Sequence, residues 1–316
     1  MLRSVDVYRT LLHTAVLLGC VSSAFVVLQA MGFHGEWADI NTLMTEPTRL
    51  PIFGHRLFFV SIAKVFKLAL PQLTNVQCYF ASQLLALLFA FVAVERLCAE
   101  VVSRKWSVFA HPITFCMFAP TIGYFTFYDI GIIGFFALSL LMIAQHRFAA
   151  YLLVFTLGVL NHENMILIAP AAILEARRSG HRWITLAFVH LLLYGAVRSM
   201  LFFAFPMPRA FNSKIWYNLH PFQTYSLRGL VLSAAALLFW WLIVGIAWKF
   251  APRIIQYAAV TLWPGLMVVT ALFGKWIEPR QFVAFVPVCA AVMIAAVVNI
   301  ESSKWESKAI EVSEQS

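Results

Sequence analysis

Long apolar runs separated by short polar turns organise this chain. Runs near 11–31, 76–97, 107–125, 130–145, 183–205, 229–248, 254–274 and 281–299 approach the roughly 20 residues that cross a bilayer as a helix. Each predicts a membrane-spanning helix. The run 148–174 does not fit. It is too long for one straight crossing, and Asn161-His162-Glu163-Asn164 cuts it into 148–160 and 165–174, each too short to span. A charged side chain at bilayer depth costs from about 2.5 kcal/mol to several times that, so it usually faces a cavity or a partner.

The turns are basic. Arg96, Arg104 and Lys105 follow one run, Arg177, Arg178 and Arg182 another, Lys249 and Arg253 a third. With Arg3, Arg9, Lys304 and Lys308 near the ends, the positive-inside rule places all of these clusters on the cytoplasmic side. That holds only if 148–174 crosses twice, or dips in and returns. The polar cluster then sits at the tip of a helical hairpin, near or somewhat below the outer surface. The count becomes about ten membrane segments with both termini cytoplasmic.

Residues 56–70 are a separate case, roughly 22 Å long as a helix and too short to span. Arg56, Lys64 and Lys67 fall within about 80° on a helical wheel and leave a broad apolar face. This predicts an interfacial helix on the outer face, ended by Pro71. The polar, mixed-charge residues 301–316 read as a disordered cytoplasmic tail. Residues 1–300 then form a single polytopic transmembrane domain.

Composition agrees with the pattern. With 62% hydrophobic and 12% charged residues, a soluble fold of this size could not cover its own surface. The fold class is an all-α polytopic membrane protein. The net charge of +9 is scattered among turns and reads as topology and contact with membrane lipid. No basic stripe supports nucleic-acid binding. Leu17-Leu18-Gly19-Cys20 resembles a lipoprotein cleavage box, yet the apolar run continues well past Cys20, so a retained first span is expected. Cys20, Cys78, Cys98, Cys116 and Cys289 lack metal-type spacing and read as packing residues.

Under this topology Glu36, Asp39, Glu46, Asp129, Glu163 and Glu278 all fall on the outer side. His34, His55, Arg56, His162, Lys275 and Arg280 accompany them. A carboxylate can take a proton from an acceptor hydroxyl while cations stabilise a departing phosphate. Such a set suits a membrane-embedded transferase acting on phosphorylated lipid. Each residue also has a plainer reading. Glu36 and Asp39, which would share one face of a short helix, fit a solvated loop equally well. Asp129 fits a helix cap, Glu163 a hydrogen-bonded structural cluster, and Lys275 to Arg280 an ordinary turn with an aromatic anchor. His162-Glu163 is not a zinc-protease motif, because His-Glu-x-x-His needs a second histidine where Ile166 stands.

The long first span, outer acidic loop and interfacial helix together resemble the GT-C superfamily of integral membrane glycosyltransferases. More specifically, Tyr128-Asp129 opening a Gly-containing span, with Leu160-Asn161-His162-Glu163 some thirty residues on, is similar to bacterial GT-C-like membrane proteins. Those carry Tyr-Asp and Leu-Asn-Arg-Glu-Thr at these places. Glu278-Pro279-Arg280-Gln281-Phe282 with Val286-Pro287 is similar to their Glu-x-Arg-x-Phe…Pro ending. This chain departs from the pattern at His162, where they carry Arg, and at Asn164, where they carry Thr.

The resemblance implies transfer from a polyprenyl-phosphate-linked sugar on the outer face of a bacterial inner membrane, in cell-surface polysaccharide or glycoconjugate assembly. It implies an acid of the first outer loop as general base or metal ligand, Asp39 before Glu36. Glu163 would assist. Arg280, Lys275 or Arg56 would neutralise phosphate, with Asp129, His162 and His55 completing the substrate site. A divalent metal is compatible with this set. A transporter or lipid flippase, or a non-catalytic membrane subunit, are the competing expectations.

Overall fold

The computed structural model describes residues 2–32, 37–46, 56–121, 130–205, 218–273 and 279–314. Within them the side chains of several stretches, including Asp39 and Arg280, are outside the described set. The described residues contain helices and no strand. In chain order the helices are α1 (Leu2–Gly32), α2 (Trp37–Thr45), α3 (Leu57–Ala69), α4 (Asn75–Val101), α5 (Ala110–Phe118), α6 (Ile130–Ala144), α7 (Phe148–Asn161), α8 (Ala169–Arg178), α9 (Trp183–Ala204), α10 (Leu227–Ala247), α11 (Arg253–Phe273) and α12 (Val286–Glu314). Short 3-10 segments at Ser107–Phe109, Glu163–Ile168 and Pro279–Phe285 join some of them.

Five stretches are long and apolar enough to cross a membrane: Thr10–Leu28, Trp183–Ala204, Leu227–Phe250, Arg253–Leu272 and Phe282–Glu301. The predicted runs at 130–145 and 148–160 appear as the shorter apolar helices α6 and α7. The molecule is an all-α membrane protein.

Helix α4 is the hub, packed against α1, α2, α3, α5, α6 and α12. Its start is fixed by a capping box. The Thr74 side chain accepts from the Gln77 N–H at 3.2 Å, and the Gln77 side chain accepts from the Thr74 N–H at 2.8 Å. These bonds satisfy donors that the first helical turn leaves open.

The helix α3 does more than rest at a surface. Phe59, Val60 and Ala63 are buried, and the Ser82 hydroxyl donates to the Phe59 carbonyl at 2.6 Å. Phe58, Phe59 and Phe89 gather around Phe135 of α6. Gly131 permits this approach, since a Cβ there would lie 2.1 Å from the Phe59 ring. Leu68 stays exposed, so one face packs and the other is open. Two of the three cations expected to share a polar face divide their work. Lys67 Nζ donates to the carbonyls of Pro71 and Leu73, whereas Arg56 turns inward.

The run 148–174 reverses direction. Helix α7 stops at Asn161, His162 adopts extended backbone, and Glu163–Ile168 leads into α8. The beginning and end of this unit lie together. His146 stacks on His181 with ring centroids 5.9 Å apart, Phe148 meets His181 at 4.8 Å, and His146 Nδ1 lies 3.8 Å from Glu175 Oε1. Fourteen residues of α7 reach about 21 Å, short of the roughly 30 Å hydrocarbon core.

The basic turns collect where this hairpin opens. Gln145 donates to Glu100 at 3.0 Å, and Lys105 pairs with Glu301 at 3.4 Å. Arg178 makes a two-point hydrogen-bonded pair with Glu175. Residues at the ends of α4, α6 and α8, with Glu301 within α12, thus define one basic end of the bundle, and the elbow at His162 points to the other. Helix α12 continues through the tail as far as Glu314. The polar stretch expected to be disordered therefore has helical backbone.

Candidate functional site

The elbow forms because Asn161, His162, Glu163 and Asn164 each find a place that hydrocarbon does not offer. His162 caps the 3-10 segment, its Nδ1 accepting from the Asn164 N–H at 3.1 Å. In this contact His162 accepts through Nδ1 rather than donating. Its side chain is buried. Gly158 lets Met165 fold back over the turn, since a Cβ there would lie 2.7 Å from the Met165 methyl. Asn161 is buried too, its side-chain oxygen facing Gly131.

Glu163 is the charged member, and the start of α3 supplies its partner. Arg56 Nη2 donates to Glu163 Oε1 at 3.2 Å. The guanidinium is 10% exposed and the carboxylate 37% exposed, so Arg56 anchors the pair from inside while Glu163 keeps an open side. The second carboxylate oxygen lies 3.7 Å from His162 Nδ1, beyond hydrogen-bonding distance. Arg198 of α9 is a further cation within electrostatic reach of Glu163, and Tyr194 lies within reach of both. The elbow thus surrounds a carboxylate with the guanidiniums of Arg56 and Arg198 and the imidazole of His162. The carboxylate keeps one side open. It is suited to orienting a group, while its guanidiniums are suited to an anionic oxygen.

The sequence-derived candidates divide accordingly. Arg56, His162 and Glu163 come together. Asp39 belongs to α2, which packs on α3 and α4; α2 is tied to the capped start of α4 by an Asn75–Asn41 side-chain hydrogen bond of 2.7 Å. That brings the Asp39 backbone to the elbow end of the bundle. Arg280 lies in the 3-10 segment Pro279–Phe285, which packs on α6, α10 and α11. Glu36, His55, Asp129 and Lys275 lie outside the described residues.

Two neighbours of the elbow are not evident from hydropathy. Arg198 and Tyr194 stand inside the apolar run 183–205 and look like ordinary span residues. The available signal is the same one that exposes Glu163, a charge in a segment otherwise fit for lipid.

No protein-family model, curated protein or solved structure matches the chain.

Proposed function

We propose that this protein is a membrane glycosyltransferase-like enzyme that uses a polyprenyl-phosphate-linked sugar on the outer face of a bacterial inner membrane, in cell-surface polysaccharide or glycoconjugate assembly. The observation that carries the proposal is the buried Arg56 guanidinium paired with the part-open Glu163 carboxylate at the end of the bundle away from the basic turns. Cations held in a low-dielectric wall are worth more to a departing phosphate than the same groups in water. In this reading Arg56 and Arg198, with Lys275 and Arg280, form the phosphate side. Asp39, or Glu36, takes the acceptor's proton, and Glu163 with His162 orients the acceptor.

The test is transfer from a labelled polyprenyl-phosphate sugar in membranes containing the full chain. Asp39→Asn is expected to lower turnover by about 10²-fold or more, the range for loss of a general base. Glu163→Gln is expected to lower it less. If Asp39→Asn, Glu163→Gln and Arg280→Ala all support normal glycan assembly at normal protein levels, the proposal fails.

A second reading, a lipid or solute transporter, draws on the polar elbow of a broken hairpin, a feature that transporters use for binding. Accumulation of substrate in proteoliposomes without any covalent product would favour it over transfer.

A further inference from the structure

At the opposite, basic end of the bundle, three polar side chains from three helices converge. His13 of α1 places Nε2 3.2 Å from Glu95 Oε1, and His111 of α5 places Nε2 3.4 Å from Glu95 Oε2. The two imidazole centroids are 5.4 Å apart, and Phe91 stacks on His111 at 6.3 Å. One donor atom from each residue lies within 4.8 Å of the other two. His111 is fully buried, its Nε2 faces Glu95, and among the described residues its Nδ1 makes no hydrogen bond. A buried imidazole whose Nε2 faces a carboxylate oxygen at 3.4 Å is placed to bind a cation between the two.

We propose that His13, Glu95 and His111 form a binding site for a divalent transition metal of the zinc type. Two imidazoles and one carboxylate are a donor set that zinc accepts while keeping a fourth position open. Bonds of about 2.0–2.1 Å in tetrahedral arrangement set neighbouring donor atoms about 3.3 Å apart. His13 Nε2 and His111 Nε2 approach different oxygens of Glu95, at 3.2 and 3.4 Å, so whichever oxygen binds the metal already has one edge of that length in place. His13 is the adjustable member, one-third exposed where His111 is sealed, so it closes the remaining edge.

The open side faces a cavity of about 670 Å³ that Arg96, Arg104, Lys105, Thr10 and Ser107 help to line. Three cations and two hydroxyls beside a metal select an anionic oxygen ligand, of phosphate type, for the fourth position. The metal also joins α1 and α5 to the hub helix α4. This site is separate from the elbow and does not rest on the glycosyltransferase reading.

The test uses the full chain purified in detergent, stripped with chelator and reloaded with zinc or cobalt(II). The expected result is one equivalent of tightly held metal by elemental analysis, and cobalt absorption bands of four-coordinate geometry that shift on adding inorganic phosphate. Glu95→Gln and His111→Asn should each weaken binding by more than about 100-fold, beyond the loss of an outer-shell partner. His181→Ala, which alters a histidine at the same end outside the cluster, should bind as the parent does. Failure of the unaltered protein to retain metal overturns the site, whatever the variants do. Retention by a folded Glu95→Gln, His111→Asn double variant would equally overturn it. Cobalt bands indifferent to phosphate would overturn the assignment of the fourth position.

Discussion

Arg56 and Glu163 are 107 positions apart in sequence and meet inside the bundle. Removing one partner leaves the other charge poorly compensated, most of all the enclosed Arg56. Arg56→Ala and Glu163→Gln should each lower thermal stability in detergent, and the double variant should lose less than the sum. A coupling of about 0.5–3 kcal/mol is the range for residues in contact. Strict additivity would mean that the pair does not interact in solution. Gly131 gives a cleaner steric prediction. Gly131→Ala should destabilise by about 1–3 kcal/mol, as overpacking does, because Phe59 is held by Phe58 and Phe135 and cannot swing aside. An unchanged melting temperature would contradict that packing. At this scale the sequence is informative about cost and poor about partners. Glu163 is conspicuous as a carboxylate in an apolar run, but nothing local indicates that Arg56 answers it. His13, Glu95 and His111 do not stand out because each sits alone near the end of its own run, and their convergence is a property of three helices.

At the level of elements, the hairpin is where charge patterning reaches furthest. The distribution of Arg and Lys demands that 148–174 return to its starting side, and the contacts of His146 and Phe148 with His181 put its two ends together. In a cysteine-free background, His146→Cys and His181→Cys should react with a membrane-impermeant thiol reagent from the same side. Labelling from opposite sides would refute the reversal. Helix lengths are legible wherever an apolar run is uninterrupted, as in Trp183–Ala204. The elbow's form is not, because Gly158, His162 and Met165 shape it through a close backbone approach that hydropathy does not encode. The polar tail exposes another limit. Its mixed charges fit a solvated helix as well as a disordered coil, and the structure carries the helix to Glu314.

Over the whole molecule, the helices divide into a buried centre and an apolar rim. In α12 67% of the membrane-length window is buried, against 17% in α9. Leu191, Leu192, Phe188 and Phe203 of α9 are exposed, as are Leu238, Phe239 and Ile246 of α10. A rim of this kind needs lipid, since soluble proteins rarely expose large contiguous apolar patches. Leu191→Arg near the middle of α9 should reduce membrane-integrated protein, with an insertion cost of about 2.5–3.5 kcal/mol. Greater recovery of soluble, folded protein would argue that α9 does not face lipid.

The hairpin has a consequence for how the chain is made. Neither α7 nor α8 is long enough to enter a bilayer alone, so the pair must go in together with its polar tip. Synthesis runs from the N-terminus, and early segments begin to fold first. Arg56 therefore leaves the ribosome more than a hundred residues before Glu163. The guanidinium can already be in place at the start of α3 when the acid arrives, and the last polar group to enter finds its counter-charge waiting. Helix α9, with Arg198, then closes over a tip that is already compensated. The order of residues along the chain is thus also a workable order of insertion.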